Sequence, residues 1–200
     1  MSEKQIENST KQSVSPLNSR RNLVKGVVAA PLLMTIASRP VLAKGICTPS
    51  AWVSGNLSDT SRLRECGGYS PGYWKKKTDQ WPAPYQTGTC KPGGYSGNNG
   101  TCTDYNSDGT KFHDVFNGTQ YGSDTLMQVL WRTGNQDYNR LGFHIVAALL
   151  NAASISDYGM TTTQVIDMYN QLQSTGMYTT SAGDLTIDQV VEYIKQTYSY

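Results

Sequence analysis

The 200-residue chain contains only two histidines, and its four cysteines are separated by 19, 24 and 12 positions. A transition-metal centre is hard to build from that set, because structural zinc favours close Cys-x₂₋₄-Cys pairs. No serine stands in a G-x-S-x-G setting. No glycine-rich loop opens a helix to cradle phosphate. Charged residues make up just 16% of the chain, and no apolar run approaches the ~20 residues of a membrane-spanning helix. The glycines lack the collagen period, and the aromatics, at 10%, are too many for a disordered chain. The net charge of +2 hides an asymmetry. Residues 1–43 hold six Lys/Arg against two Asp/Glu, so the remaining 157 residues carry about −2. That balance argues against a nucleic-acid binder that relies on phosphate attraction.

What the front of the chain does contain is an address. Ser19-Arg20-Arg21-Asn22-Leu23-Val24-Lys25 precedes the modest apolar stretch Gly26–Ala37. A polar leader, paired arginines and a short apolar segment match a bacterial twin-arginine export signal. Small or compact residues at Val41 and Ala43 suit signal peptidase, which places the mature N-terminus at Lys44. The expected partners are therefore the twin-arginine translocation machinery and signal peptidase, and the expected location is periplasmic or extracellular. A retained amphipathic anchor helix is the less favoured alternative.

In an oxidising compartment, Cys47, Cys66, Cys90 and Cys102 read as two disulfides, with three pairings open. Their physical role follows from their surroundings. Gly, Pro, Ser, Thr and Asn dominate from Cys66 to Tyr121, a stretch unable to bury enough apolar area to order itself unaided.

The mature part divides by pattern into a loop-rich segment, 44–122, and a helical segment, 123–200. Trp52, Tyr69, Tyr73, Trp74, Trp81, Tyr85, Tyr95 and Tyr105 are expected to supply most of the first segment's buried area. In the second, Ser123 can cap a helix carrying Leu126, Val129 and Leu130 that ends near Gly134. A second helix is expected from about Asp137 to Ser154, apolar nearly all round and so the most buried. Thr161 or Thr162 caps a third, with Val165, Tyr169 and Leu172 on one stripe and Gly176 beyond its end. Thr186-Ile187-Asp188-Gln189 spells a capping box for a fourth, whose stripe is Ile187, Val190, Val191, Ile194 and Tyr198. The expected fold is mainly α: a small C-terminal helical bundle packed with an irregular, disulfide-stapled, Gly/aromatic-rich N-terminal half.

Three groups are candidates for chemistry. Asp104-Tyr105-Asn106-Ser107-Asp108-Gly109 fits the first half of an EF-hand calcium loop, with Asp104, Asn106 and Asp108 offering side-chain oxygens and Thr110 its carbonyl. Position twelve of that loop is Val115 where a bidentate Glu belongs, so an Asx-rich surface turn is the simpler reading. His113-Asp114 could serve a hydrolase, although adjacent side chains usually diverge and no nucleophile can be assigned. His144 lies in the most apolar helix and reads as a satisfied core histidine. Finally, Lys75-Lys76-Lys77 flanked by Tyr73, Trp74 and Trp81 suits an acidic glycan, held by charge and ring stacking. Trp74 is equally suited to the core of a loop-rich segment.

Ser70-Pro71-Gly72-Tyr73-Trp74-Lys75, Trp81-Pro82 and Ala147-Ala148-Leu149-Leu150-Asn151-Ala152 resemble an uncharacterised family of bacterial secreted proteins. Its members share a [ST]-P-G-Y-W-K-N-H stretch, a nearby W-P and a distal helix ending A-A-L-L-N-A. Lys76 and Lys77 stand where the pattern has Asn and His, so no role of that histidine carries over. The resemblance implies an exported, disulfide-bearing surface or periplasmic protein and no reaction. The leading expectation is a non-enzymatic structural or interaction protein of the cell envelope, whose partner is an envelope glycan or another exported protein. A calcium- or carbohydrate-binding module is the first alternative, and a glycan-directed hydrolase the second.

Overall fold

The computed structural model describes residues 47–54, 66–96, 100–133 and 137–199. The export signal and the cleavage site before Lys44 lie outside the described residues. Seven helices and two small hairpins occur among those residues. In chain order they are α1 (Pro49–Val53), α2 (Pro71–Lys76), β1 (Tyr95–Ser96), β2 (Thr101–Cys102), α3 (Phe112–Val115), α4 (Leu126–Trp131), α5 (Leu141–Ser154), α6 (Thr162–Thr175), β3 (Met177–Thr180), β4 (Gly183–Thr186) and α7 (Ile187–Gln196). No helix of the described residues is long and apolar enough to cross a membrane.

The nearly all-apolar sequence of α5 makes it the hub. Ten of its residues are buried, from Leu141 to Asn151, and α2, α4, α6 and α7 all pack against it. Its start differs from the expected one at Asp137. Asn139 (φ 52°) and Arg140 (φ 58°) are left-handed, and the helix begins only at Leu141. Asp137 is the cap from a distance: its carboxylate accepts from the backbone N–H of Gly142 (3.0 Å) and Phe143 (2.9 Å) and from the Tyr121 hydroxyl (2.8 Å). Those bonds satisfy helix donors that Arg140, at the cap position, leaves open.

α4 starts two residues later than expected. Thr125, not Ser123, is the cap, and it forms a reciprocal capping box with Gln128. Thr161 and Gln164 repeat that device on α6, which stops at left-handed Gly176, and Thr186 with Gln189 does so on α7. Between α6 and α7 lies an antiparallel hairpin of β3 and β4, absent from the sequence expectation. Tyr193 joins Val190, Val191 and Ile194 in the buried stripe of α7, whereas Tyr198 falls beyond the end of the helix.

The loop-rich segment is held by cross-links and by backbone pairing. The disulfides are Cys47–Cys66 and Cys90–Cys102, which resolves the three open pairings. Gly68 donates its N–H to Thr197 O (3.0 Å), and its carbonyl accepts from Ser199 N (2.9 Å). The approach leaves no room for a side chain, because a Cβ on Gly68 would lie 2.8 Å from Thr197 O. Farther on, the strand-like runs 86–91 and 104–110 are joined by Thr110 N to Gln86 O, Asn106 N to Thr89 O and Lys91 N to Asp104 O. Trp74 and Tyr105 are buried, and Trp52, Tyr69, Tyr73, Trp81 and Tyr85 pack half-buried on the core. Tyr95, one of the aromatics expected to supply buried area, is instead 60% exposed.

Candidate functional site

Pro71 at the first turn and Ser70, whose hydroxyl accepts from Tyr73 N, start α2. One helical turn then sends Trp74 inward and leaves Lys76 outside. The Trp74 indole N–H donates to Asn151 Oδ1 (3.0 Å), and the Trp81 indole donates to Trp74 O (3.0 Å). Tyr73 stacks on Tyr69 at 4.1 Å between ring centroids. Of the candidate ligand contacts Tyr73, Trp74, Lys75 and Trp81, the two indoles are therefore structural. Lys75 is half-buried, its ammonium 4.0 Å from the centre of the Trp131 ring. Burial lowers its pKa, and the neighbouring charges of Arg140 and Lys76 lower it further.

A cleft of about 390 Å³ opens between α2 and the hairpin clipped by Cys90–Cys102. Lys75, Lys76 and Thr78 line one side, and Thr87, Tyr95, Thr101 and Tyr105 line the other. The disulfide itself forms part of the wall, so oxidation holds β1 and β2 in place across the opening. Among the described residues that line it there is no Asp, Glu or His. The cleft thus offers hydroxyls, two ammonium-bearing side chains and the exposed Tyr95 ring, without an acid–base pair. Sequence reasoning found its lysine side. It missed Tyr95, Thr87 and Thr101, which a turn-rich stretch gives no period to place.

The calcium-loop candidates are engaged with their own chain. Asp104 pairs with Lys91 at 2.8 Å. Asp108 accepts from Thr89 N (2.8 Å) and Thr89 Oγ1 (2.7 Å), bonds that hold its carboxyl below the usual range. The Asn106 side chain donates to Thr89 Oγ1 (2.8 Å), and the Thr110 carbonyl accepts from Leu126 N (2.8 Å). The side chains of Asp104, Asn106 and Asp108 thus brace 86–91 against 104–110, and the Thr110 carbonyl ties the run to α4.

His113 and Asp114 sit on the one-turn helix α3. They do not diverge as adjacent residues usually do: Nε2 lies 3.3 Å from Oδ1, with Nδ1 3.1 Å from Gly122 O. Both side chains are exposed. His144 is buried and its Nδ1 lies 2.9 Å from the Tyr198 hydroxyl. Burial, followed by the nearby charges of Arg140 and Lys195, pushes its pKa down to about 4. A second cavity, about 480 Å³, lies beside Ala152, Ile155, Tyr158 and Met160 and is largely apolar.

Comparison with family models, curated proteins and solved structures finds no match to the chain.

Proposed function

We propose that the chain is an exported, non-enzymatic module of the cell envelope that binds carbohydrate in the cleft between α2 and the Cys90–Cys102 hairpin. The observation that carries this reading is the cleft's lining. An exposed tyrosine face suits the apolar face of a sugar ring, and threonine hydroxyls with Lys76 suit its hydroxyls. Glycoside hydrolysis ordinarily uses two carboxylates flanking the scissile bond, and the described lining supplies none. The twin-arginine signal and two disulfides support export.

The test is binding of the purified protein to a panel of immobilised oligosaccharides, with released sugar assayed in parallel. Binding without release, lost in Tyr95→Ala and retained in Tyr178→Phe on the distant hairpin, is the expected result. Product release would move the protein to the hydrolase class. Binding that Tyr95→Ala leaves unchanged would contradict the cleft.

A further inference from the structure

We infer that the carbohydrate is anionic and that its acidic groups are held by Lys75, which lines the cleft, together with Arg140 around the ring of Phe143. This rests on the carbohydrate reading of the cleft and names the chemical class of the ligand. The Lys75 ammonium is 5.7 Å and the Arg140 guanidinium carbon 3.8 Å from the centre of the same Phe143 ring. Two cations are thus gathered around one aromatic ring.

Their isolation from acids among the described residues is the decisive feature. Elsewhere in the described residues most basic side chains have oxygen partners, Lys91 with Asp104 (2.8 Å), Lys111 with Ser123 O (3.2 Å), Arg132 with Asp124 (2.6 Å) and Lys195 with Glu192 (2.9 Å), the exposed Lys77 being the exception. Lys75, Lys76 and Arg140 form no ion pair with any described residue. The acids adjoining the Arg140 turn are committed, Asp137 to Tyr121, Gly142 and Phe143, and Asp188 to the Asn139 side chain. Burial lowers the Lys75 pKa first and the like charges of Arg140 and Lys76 lower it further, a cost that the ring contacts offset only in part.

Two further observations point the same way. Arg140 follows Asn139 in a second successive left-handed conformation, a costly backbone from which the guanidinium reaches the Phe143 ring. Beneath Lys75, the Trp131 indole N–H is buried with no acceptor among the described residues. An anion's oxygens would engage the planar guanidinium in pairs and the ammonium as a point charge. Lys75 also lines the cleft, so a sugar lying against Tyr95 can place an acidic substituent at the pair.

The experiment is calorimetric titration of the purified, disulfide-bonded protein with oligogalacturonate, its methyl ester and poly(glycerol phosphate) at low ionic strength. Wild type is expected to bind an anionic polymer about tenfold or more tighter than the neutral ester. Whether oligogalacturonate or poly(glycerol phosphate) is preferred identifies the acidic group as carboxylate or phosphate. Arg140→Asn, which tolerates the left-handed backbone, and Lys75→Met, which keeps a stem over Trp131, should each bring the ratio toward one without weakening the ester. Equal affinity of wild type for acid and ester overturns this inference and leaves the carbohydrate reading standing. So does a variant that weakens all three polymers alike. Binding to none of them overturns the carbohydrate reading itself.

Discussion

Asn151 and Trp74, 77 positions apart, are joined by a buried hydrogen bond of 3.0 Å from the indole N–H to the amide oxygen. The same oxygen accepts from Tyr69 N (3.0 Å), and Asn151 Nδ2 donates to Tyr69 O (3.0 Å). With Trp81 donating to Trp74 O, one amide on the central helix ties together the stretches Ser70–Lys75, Trp81–Pro82 and Ala147–Ala152. They form the base that positions Lys75 and Lys76.

Asn151→Leu removes three bonds and takes from the buried Trp74 indole its acceptor. Each unsatisfied buried group costs about 1–3 kcal/mol, so the urea midpoint should drop sharply. Trp74→Phe removes only one donor and should cost less. Equal midpoints for Asn151→Leu and wild type would contradict the anchoring role.

How much of this was legible in sequence follows from the range of each interaction. The capping box at Thr186 is local, and its spelling shows it directly, whereas on α6 the spelling left Thr161 and Thr162 both open until the structure placed the cap at Thr161. Asp137 caps α5 across a turn containing two left-handed residues, so the helix pattern began too early there. The β3–β4 strands are four residues each, too short to establish alternation. The cleft was half legible. The lysines are consecutive, but Tyr95 is brought opposite them by the Cys90–Cys102 cross-link, which spacing alone left as one of three pairings.

Peptide mapping under non-reducing conditions should recover Cys47–Cys66 and Cys90–Cys102 and no free thiol. Cys47→Ser with Cys66→Ser should cost about 3 kcal/mol, the usual loss for closing a loop of this size. Cys90→Ser with Cys102→Ser should leave the far-ultraviolet helical signal in place but weaken carbohydrate binding. Recovery of a Cys66–Cys90 peptide would show the fold of this segment to be different.

His144 makes stability depend on pH in the acidic range. Its folded pKa, about 4, lies below the ordinary 6.5, so the unfolded chain binds more protons between those values. The stabilisation is fully present above about pH 6.5 and is lost as pH falls toward 4, on the order of 3 kcal/mol in total. His144→Gln should flatten the melting-temperature profile over that interval. A His144 ring that titrates near 6.5 by NMR would contradict the buried, Tyr198-bonded placement.

Calcium at millimolar concentration should leave the melting temperature unchanged, because the oxygens of Asp104, Asp108 and Thr110 are already bonded to Lys91, Thr89 and Leu126. Asp108→Ala should lower the melting temperature even without calcium, through the lost Thr89 bonds. A rise with calcium that Asp108→Ala abolishes would restore the ion-binding reading of the loop.

The most direct measurement is amide chemical-shift perturbation on titration with oligogalacturonate. The account predicts shifts concentrated at residues 75–78, 87–90, 95 and 100–105, with a second set at 140 and 143. Perturbations centred instead on the apolar cavity at 155–164, or spread along the surface without saturation, would contradict it.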